Sequence, residues 1–558
     1  MKAPTVLWQS SAAFFLSLLV FIAVILWLDN VHVVTMTGMY KAIQAEPWIA
    51  TPHSANLDQS NYLFFPLYGL LCRLLDGLGI YRGTAWKQFA ILNAFWGSVC
   101  VAFVYAFTYR LWDNARAAAL TACFHAGSGF VLLLSVINED IMPGYTLVFG
   151  AMALAALWFD RPTVVRVIAV AALFTVGWLI EWRLIFPTLP ALGLALLAAP
   201  QPVGRRLALV GVLLVSVVAV AGLVDLAWSG HNESRGLLDL LWTAKGIDSG
   251  WGGFSFHKVR LMLWGVSNYL LLTFAMGADG RGAEALALGV PALLQIGLLI
   301  ATAVVLWPRR NEPRVRALAV VFVGTFVAGE VFNFYSQPQD PQMQVNVMPW
   351  LTVAWGVLVA ALLDDRGANR PRAGVVATLA VLSLAPLVWN VTQLSHRRGL
   401  DTASVTALAA LERQFRPDST VFVYGGFEDS ATWQFALWSH TWDWNGSAKV
   451  APAPSADPRF KWIAITGGAI RHPTWSAEQH AASIKRDIDL ALDSGYQVAI
   501  SDVWTWSVAA LASQLASLSA ADHAPAIYAM LHQNFEAKLV FSNSAIGTYY
   551  ILRRRAAP

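Results

Sequence analysis

The chain is dominated by long apolar segments, each close to the ~20 residues that a helix needs to cross the hydrocarbon core of a bilayer. The first runs from Leu7 to Leu28 and the last from Gly374 to Trp389. These segments predict a polytopic α-helical membrane protein with about eleven transmembrane helices. The other predicted spans are Trp86 to Tyr109, Ala117 to Val136, Ile141 to Trp158, Val164 to Ile180, Leu184 to Ala199, Leu207 to Trp228, Ala283 to Trp307, Ala317 to Phe334 and Val347 to Leu363.

The composition agrees with a membrane protein and excludes other classes. Apolar residues make up 57% of the 558 residues and charged residues 13%, whereas about a quarter of a soluble domain is charged. Many of the 25 tryptophans lie at the ends of apolar runs, as in interfacial aromatic belts. The net charge of +4 is small for this length and predicts no nucleic-acid partner. No Ala-x-Ala cleavage site follows Leu7 to Leu28, so we interpret that segment as a retained anchor.

Two further apolar stretches are interpreted as helices that lie at the outer membrane interface. Tyr62 to Gly79 is interrupted by charged residues, and Val259 to Met276 contains Arg260. Promoting only one of them to a full span would move the later arginine-rich loops outside, against the positive-inside rule, whereas promoting both would keep the orientation. With the N-terminus inside, the cytoplasmic ends of the spans carry Arg110, Arg116, Arg161, Arg166, Arg205, Arg206, Arg309, Arg310, Arg314, Arg316, Arg366, Arg370 and Arg372.

The C-terminal third has a different pattern. An odd number of spans places everything after Trp389 outside, and from about His396 helix-period runs such as Thr402 to Phe415 alternate with strand-like runs. This alternation predicts a C-terminal extracytoplasmic α/β domain over residues 396–558, after a membrane domain over residues 1–395 whose first outer loop spans 29–85. The predicted strands are Thr420 to Tyr424, Lys461 to Ile465, Gln497 to Ile500, Lys538 to Phe541 and Gly547 to Leu552.

Charged residues mark three places where predicted spans end on the outer side. Asp29 follows the first span, Glu139 and Asp140 precede the fourth, and Glu181-Trp182-Arg183 separates the fifth from the sixth. An acid at such a boundary can be ionised because it meets water, while protein and lipid of low dielectric constant cover it from the other side. We expect the three junctions to converge on one outer cavity. The simpler alternatives are interfacial carboxylates in contact with water and, for Glu181 and Arg183, an ion pair that neither binds nor reacts.

This arrangement resembles the GT-C glycosyltransferases, most closely the branch with aminoarabinose transferases and protein O-mannosyltransferases. Asp29 matches the first-loop acid of that family, although the family often has Asp-Glu where this chain has Asp29-Asn30. The segment from Asn61 to Tyr68 resembles the family's proline-containing interfacial helix. Glu139 and Asp140 match the second-loop acids, and Arg183, followed by Pro187 and Pro190, resembles the basic residue before a proline-bearing span.

The resemblance covers roughly Leu7 to Trp389 and implies a mechanism. A polyprenyl-phosphate sugar would be the donor, Arg183 would stabilise its leaving phosphate, and Asp29 would take the proton from an acceptor hydroxyl, with inversion at the anomeric carbon. Glu139 or Asp140 would hold the acceptor or a divalent cation. The resemblance also implies a bacterial inner-membrane protein. The sequence does not decide whether the acceptor is a lipid, a glycan or a protein. Further candidates for substrate binding are His32, Glu181, Lys258, Arg260, Gln337 and Gln342.

A different class of function is compatible with the same residues. A multi-pass transporter or lipid flippase also places ionisable groups inside spans, and Glu330 and Asp225 are such groups. The later spans are otherwise poor in charges, and no pair of interrupted spans recurs in two halves of the chain, which favours the transferase. A membrane-anchored binding domain would need only one span. The histidines and the three cysteines show no metal-ligand spacing, so no protein-built metal site is predicted.

Overall fold

The structure is a computed structural model. It describes residues 3–30, 63–81, 85–229, 270–272, 281–335, 347–363, 373–396, 474–516, 520–543 and 547–556. It also describes shorter pieces at 398–399, 409–411, 413–416, 419–425, 441–443 and 460–466, and the single residues 259, 262, 345, 402 and 406.

The first part of the chain is helical from end to end within these residues. The helices are α1 (Ala3–Leu28), α2 (Phe64–Gly77), α3 (Ala85–Trp112), α4 (Ala115–Gly127), α5 (Gly129–Val136), α6 (Ile141–Leu157), α7 (Val164–Ile180), α8 (Ile185–Ala198), α9 (Val203–Ser229), α10 (Arg281–Leu306), α11 (Pro313–Leu318), α12 (Gly324–Tyr335), α13 (Val347–Leu363) and α14 (Ala373–Ser395). A π-helical segment, Ala319–Val323, joins α11 to α12, so the two run on as one helix.

The helices confirm the predicted polytopic α-helical architecture. Each predicted span coincides with an apolar helix, because a chain in lipid must satisfy its backbone hydrogen bonds internally. Among the described residues, six helices are long and apolar enough to cross a bilayer, or seven if the bent pair α4–α5 is one span. Four shorter apolar helices of 10–17 residues correspond to α6, α7, α8 and α13. The count of about eleven crossings therefore stays a prediction.

The bend between α4 and α5 is 63° and is stabilised by hydrogen bonds from outside the pair. Gly129 donates its N–H to the carbonyl of Leu270 over 3.0 Å. The Asn390 amide on α14 donates to the carbonyls of Gly127 and Leu270, and its oxygen accepts from the N–H of Leu272. Backbone groups freed by the break are thus re-paired, which is the condition for irregular backbone at membrane depth.

The first stretch predicted to lie at the interface forms the helix α2, whose 14 residues are too few to cross a bilayer; its place at the interface stays a prediction. One face is buried, with Phe64, Tyr68 and Cys72 at successive turns. The N–H of Leu63 bonds to the carbonyl of Leu179 over 2.9 Å, which docks α2 against the end of α7. The second predicted interfacial stretch, Val259 to Met276, lies almost wholly outside the described residues.

The C-terminal part contains a six-stranded sheet of order β2-β3-β1-β4-β6-β5. The first four strands in this order are parallel, and β6 and β5 are antiparallel additions. Its strands are β1 (Thr420–Tyr424), β2 (Thr441–Asp443), β3 (Phe460–Ala464), β4 (Gln497–Ile500), β5 (Phe535–Asn543) and β6 (Gly547–Arg554), and its described helices are α15 (Ala477–Asp493), α16 (Val508–Ala516) and α17 (Ala524–Asn534).

Successive side chains of β1 point to opposite faces of the sheet, and both faces are buried. Val421 and Val423 pack in one cluster with Ile484 of α15, whereas Phe422 packs on the other face with Phe415. The five strands predicted from the sequence are present, and the edge strand β2 was missed. Most of the run from Thr402 to Phe415 lies outside the described residues.

The chain returns to the end of α1 after α14. The N–H of Gly399 bonds to the carbonyl of Leu28 over 2.8 Å, and Arg398 donates to the carbonyl of Trp27 while stacking on its ring. The start of the C-terminal part therefore lies beside Asp29, at the same end of the helix bundle.

Candidate active site

Asp29 ends α1 in a left-handed backbone conformation, with φ of 46°, which Asp and Asn tolerate better than most side chains. Its Oδ1 lies 3.4 Å from Nζ of Lys87 on α3. Its Oδ2 accepts hydrogen bonds from the hydroxyl of Thr402 over 2.5 Å and from the Thr402 N–H over 3.2 Å. The Asp29 side chain is 27% exposed, so a hydroxyl group from solution can approach this carboxylate.

Glu139 and Asp140 are buried in the short connection between α5 and α6. Asn93 of α3 holds this connection, because its amide donates to the carbonyls of Ile137 and Glu139 over 2.7 and 2.5 Å. The hydroxyl of Tyr68 on α2 in turn donates to the Asn93 oxygen. The helix α2 thus positions the two acids through one intermediate side chain.

Glu181, Arg183 and Asp140 form a buried charged cluster. Arg183 donates from Nε and Nη2 to the two Glu181 oxygens over 2.6 and 3.0 Å, and its backbone N–H adds a bond of 3.2 Å. Its Nη2 lies 3.9 Å from Oδ1 of Asp140. Bidentate geometry of this kind is the strong form of an arginine–carboxylate pair. Within the described part of the chain, Arg183 thus lies between two carboxylates.

Close approach of α6 and α7 brings these charges together. A Cβ on Gly144 would lie 2.7 Å from Cβ of Glu181 and 2.8 Å from the carbonyl of Gly177. A Cβ on Gly177 would meet the carbonyl of Gly144 at 2.9 Å. Small residues permit such contact between membrane helices.

We expect Gly144→Ala to destabilise the protein by about 1–3 kcal/mol, the usual effect of overpacking, and to displace Glu181. Gly193→Ala in α8 is the matched control, because nothing lies within 4 Å of its Cβ position. Thermal unfolding of the detergent-solubilised variants measures the difference. Equal melting temperatures for the two variants would contradict the close helix contact.

The structure brings the second and third predicted junctions into contact and links the first to them through α3. Lys87, which contacts Asp29, and Asn93, which holds Glu139, are six residues apart on α3, about 9 Å along its axis. The roles assigned to these acids stay predictions. His32, Lys258, Arg260, Gln337 and Gln342 lie outside the described residues.

Sequence reasoning missed three residues of this region. Lys87 and Asn93 are polar residues of an apolar helix, a signal that could have singled them out. Tyr68 lay in the segment identified as an interfacial helix, but its hydroxyl contact could not be foreseen. Within the described ranges, no three His, Cys, Asp or Glu side chains converge as metal ligands.

These helices, buried acids and arginine define a polytopic helical bundle with a charged cluster at one end. No protein-family model matches the chain, and no curated protein matches its sequence. Solved structures do match it over nearly its whole length.

ArnT, the aminoarabinose transferase of Cupriavidus metallidurans, solved bound to undecaprenyl phosphate, has a TM-score of 0.52 at 14% identity, covering 99% of this chain and 98% of ArnT. The Archaeoglobus fulgidus oligosaccharyltransferase, solved with Zn and sulfate, has a TM-score of 0.53 at 14% identity, covering 96% of this chain and 72% of the other. Both are GT-C glycosyltransferases, so the chain has the GT-C fold and the predicted resemblance is confirmed at the level of fold.

Proposed function

We propose that the protein is a membrane glycosyltransferase, which moves a sugar from a polyprenyl-phosphate donor to an acceptor at the extracytoplasmic membrane face. The observation that carries the proposal is the buried cluster of Asp140, Glu181 and Arg183 at the end of apolar helices of a GT-C fold. Ionisable groups are expensive at such a depth and usually mark a functional site.

The charge of the cluster indicates how a donor phosphate would bind. Among the described residues Arg183 already pairs with Glu181 and Asp140, so a second cation would strengthen the binding of a phosphate. Lys87 lies at the same end of the bundle; it pairs with Asp29 over 3.4 Å, but its side chain is 33% exposed and can also meet a phosphate. We propose that Lys87 and Arg183 together hold the phosphate, with Lys258 and Arg260 as further candidates and His32, Gln337 and Gln342 as candidates for the sugar.

The chemistry assigned to Asp29 is general-base catalysis. An acceptor hydroxyl oxygen attacks the anomeric carbon, the bond from that carbon to the phosphate oxygen breaks, and the hydroxyl proton passes to Asp29. Direct displacement inverts the anomeric centre and releases the polyprenyl phosphate. The Thr402 hydroxyl already donates to Oδ2 of Asp29, and an acceptor hydroxyl that displaces Thr402 would meet the base in the same geometry.

A divalent cation at Glu139 and Asp140 is a further part of the proposal. The two carboxylates are suitable metal ligands, since Mg²⁺ is commonly held by one or two carboxylates together with substrate phosphates. When bound, such an ion would neutralise the charge that grows on the leaving phosphate. Transfer that is abolished by EDTA and restored by Mg²⁺ or Mn²⁺ would support it, and full activity in EDTA would exclude it.

We propose a bacterial inner-membrane location, with residues 1–395 as the membrane domain and residues 396–558 as a periplasmic domain. The contact of Gly399 with Leu28 supports placing the C-terminal part beside the outer end of α1. Impermeant maleimide applied to spheroplasts is expected to label Lys538→Cys but not Asp160→Cys, in a background with Cys123→Ala. The reverse labelling would invert the topology.

Mass spectrometry of lipids that co-purify in mild detergent tests the function itself. We expect a polyprenyl phosphate or its sugar conjugate, and we expect added undecaprenyl phosphate to raise the melting temperature. A protein that neither carries nor binds a polyprenyl species would refute the proposal. A different bound lipid or small molecule would instead favour the transporter or flippase.

A further inference from the structure

Two residues at the end of α1 hold the segment of chain that follows α14. The carbonyl of Leu28 accepts a hydrogen bond from the N–H of Gly399 over 2.8 Å. The Oδ2 atom of Asp29 accepts one bond from the N–H of Thr402 over 3.2 Å and another from the Thr402 hydroxyl over 2.5 Å. The place of the Thr402 hydroxyl is therefore fixed by backbone contacts as well as by its own bond.

Asp29 is held from its other side by Lys87. The Nζ atom of Lys87 lies 3.4 Å from Oδ1, so the two carboxylate oxygens of Asp29 contact different partners. A hydroxyl nucleophile is recognised by a base within hydrogen-bond reach and by a third group that orients this base. Thr402, Asp29 and Lys87 have this arrangement.

The hydrogen bond leaves the Thr402 oxygen able to react. A hydroxyl has one proton to donate and two lone pairs that can form another bond. Thr402 gives its proton to Asp29, and its side chain is exposed. A sugar can therefore approach the Thr402 oxygen while Asp29 holds the proton.

Building on the proposed function, we propose that Thr402 is itself an acceptor, so that the protein glycosylates its own chain at this residue. The Oγ1 atom of Thr402 attacks the anomeric carbon of the donor, and the bond from that carbon to the phosphate oxygen breaks. The Thr402 proton passes to Oδ2 of Asp29, and the polyprenyl phosphate leaves with the electrons of the broken bond. Asp29 then releases the proton to water.

Lys87 brings the donor close to Thr402. We have assigned a part of the phosphate site to Lys87, and only the carboxylate of Asp29 separates its Nζ atom from the Thr402 hydroxyl. The anomeric carbon is bonded to the phosphate, so a donor held at Lys87 presents that carbon beside the same carboxylate. Holding two reacting groups together in this way is itself a large contribution to rate.

Modification of Thr402 also changes access to the base. A glycosylated threonine oxygen carries no proton, so it can no longer donate to Oδ2 of Asp29. This oxygen of Asp29 then becomes available to the hydroxyl of an external acceptor. Self-glycosylation thus precedes transfer to the external acceptor and exposes the base for it.

Mass spectrometry of the full-length protein in detergent tests this proposal. A panel of undecaprenyl-phosphate hexoses and pentoses is screened by native mass spectrometry, and the lipids that the wild type binds are then incubated with it. We expect the peptide that contains Thr402 to carry one added sugar, which electron-transfer fragmentation places on Thr402. Thr402→Ser should also be modified, because serine keeps the hydroxyl, whereas Thr402→Val should not.

Two further variants control for the role of the contact. Thr406→Val is the matched control, because the Thr406 hydroxyl donates to the backbone carbonyl of Thr402 over 2.9 Å. Thr402 should be modified in this variant at the rate of the wild type. Asp29→Asn should slow the modification by about 10²–10⁴-fold, because it removes the base. Melting temperatures of all variants show that each is folded.

The outcomes separate self-glycosylation from the proposed function. If the wild type binds a sugar-bearing lipid and Thr402 stays unmodified, Thr402 only fixes the segment to α1, and the transferase proposal stands. Sugar that is added to Thr402→Val as fast as to the wild type has the same consequence. A wild type that binds no polyprenyl lipid overturns the proposed function, and self-glycosylation falls with it.

Discussion

Arg183→Ala is expected to lower the free energy of unfolding by about 3–5 kcal/mol, because it leaves two buried carboxylates without their common cation. Glu181 loses a bidentate partner at 2.6 and 3.0 Å, and Asp140 loses the guanidinium at 3.9 Å. Urea unfolding in detergent, followed by tryptophan fluorescence, measures this loss. Arg554→Ala is the control, since its partners Asp489 and Asp493 are partly exposed and such pairs contribute about 0–1 kcal/mol.

The same substitution should abolish binding of undecaprenyl phosphate, and a double variant separates this effect from instability. Glu181→Gln with Arg183→Met removes both charges of the pair, so the part of the lost stability that comes from Glu181 should return, while Asp140 still lacks its cation. Binding of the lipid should not return, because the cation that we assign to the phosphate is still absent. A double variant that binds undecaprenyl phosphate as tightly as the wild type would show that Arg183 serves only the ion pair.

The sequence could predict the helices of this fold because hydropathy along one segment determines them. Val164–Ile180 was predicted with the bounds that the structure has, since a helix in lipid is specified by its own apolar length. The strands β1 and β4 were predicted with the same bounds from their short strand-like runs. The edge strand Thr441–Asp443 was missed because three residues carry too little pattern.

The contacts within the candidate site could not be predicted, because packing between distant segments determines them. Asn93 reaches a carbonyl 46 positions further along the chain, and Thr402 reaches Asp29 from 373 positions away. The sequence marked Asp140, Glu181 and Arg183 as boundary residues, but the close approach of Gly144 and Gly177 decides that they touch. Hydropathy also cannot show that Glu330 and Asn333 lack hydrogen bonds, since that depends on every neighbouring helix.

Asp29→Asn is expected to lower the rate of sugar transfer by about 10²–10⁴-fold while the protein keeps its fold, because an amide cannot accept the proton of the attacking hydroxyl. Asn tolerates the left-handed conformation at φ of 46°, so the backbone at the end of α1 should not change. The Asn oxygen can still accept a hydrogen bond from Thr402. Transfer is measured with the sugar-bearing lipid that co-purifies with the wild type, and the melting temperature of the variant is measured alongside.

Asp113→Asn is the matched control for this substitution. Asp113 also follows a long helix and has a φ of 49°, but it lies at the other end of α3 from Lys87, beside Arg110. The control should transfer sugar at the rate of the wild type, because the two substitutions make the same change at opposite ends of the bundle. If Asp29→Asn also retains full transfer, Asp29 is not the base, and Glu139 and Asp140 become the acids to test because they are the other predicted acids at this end of the bundle.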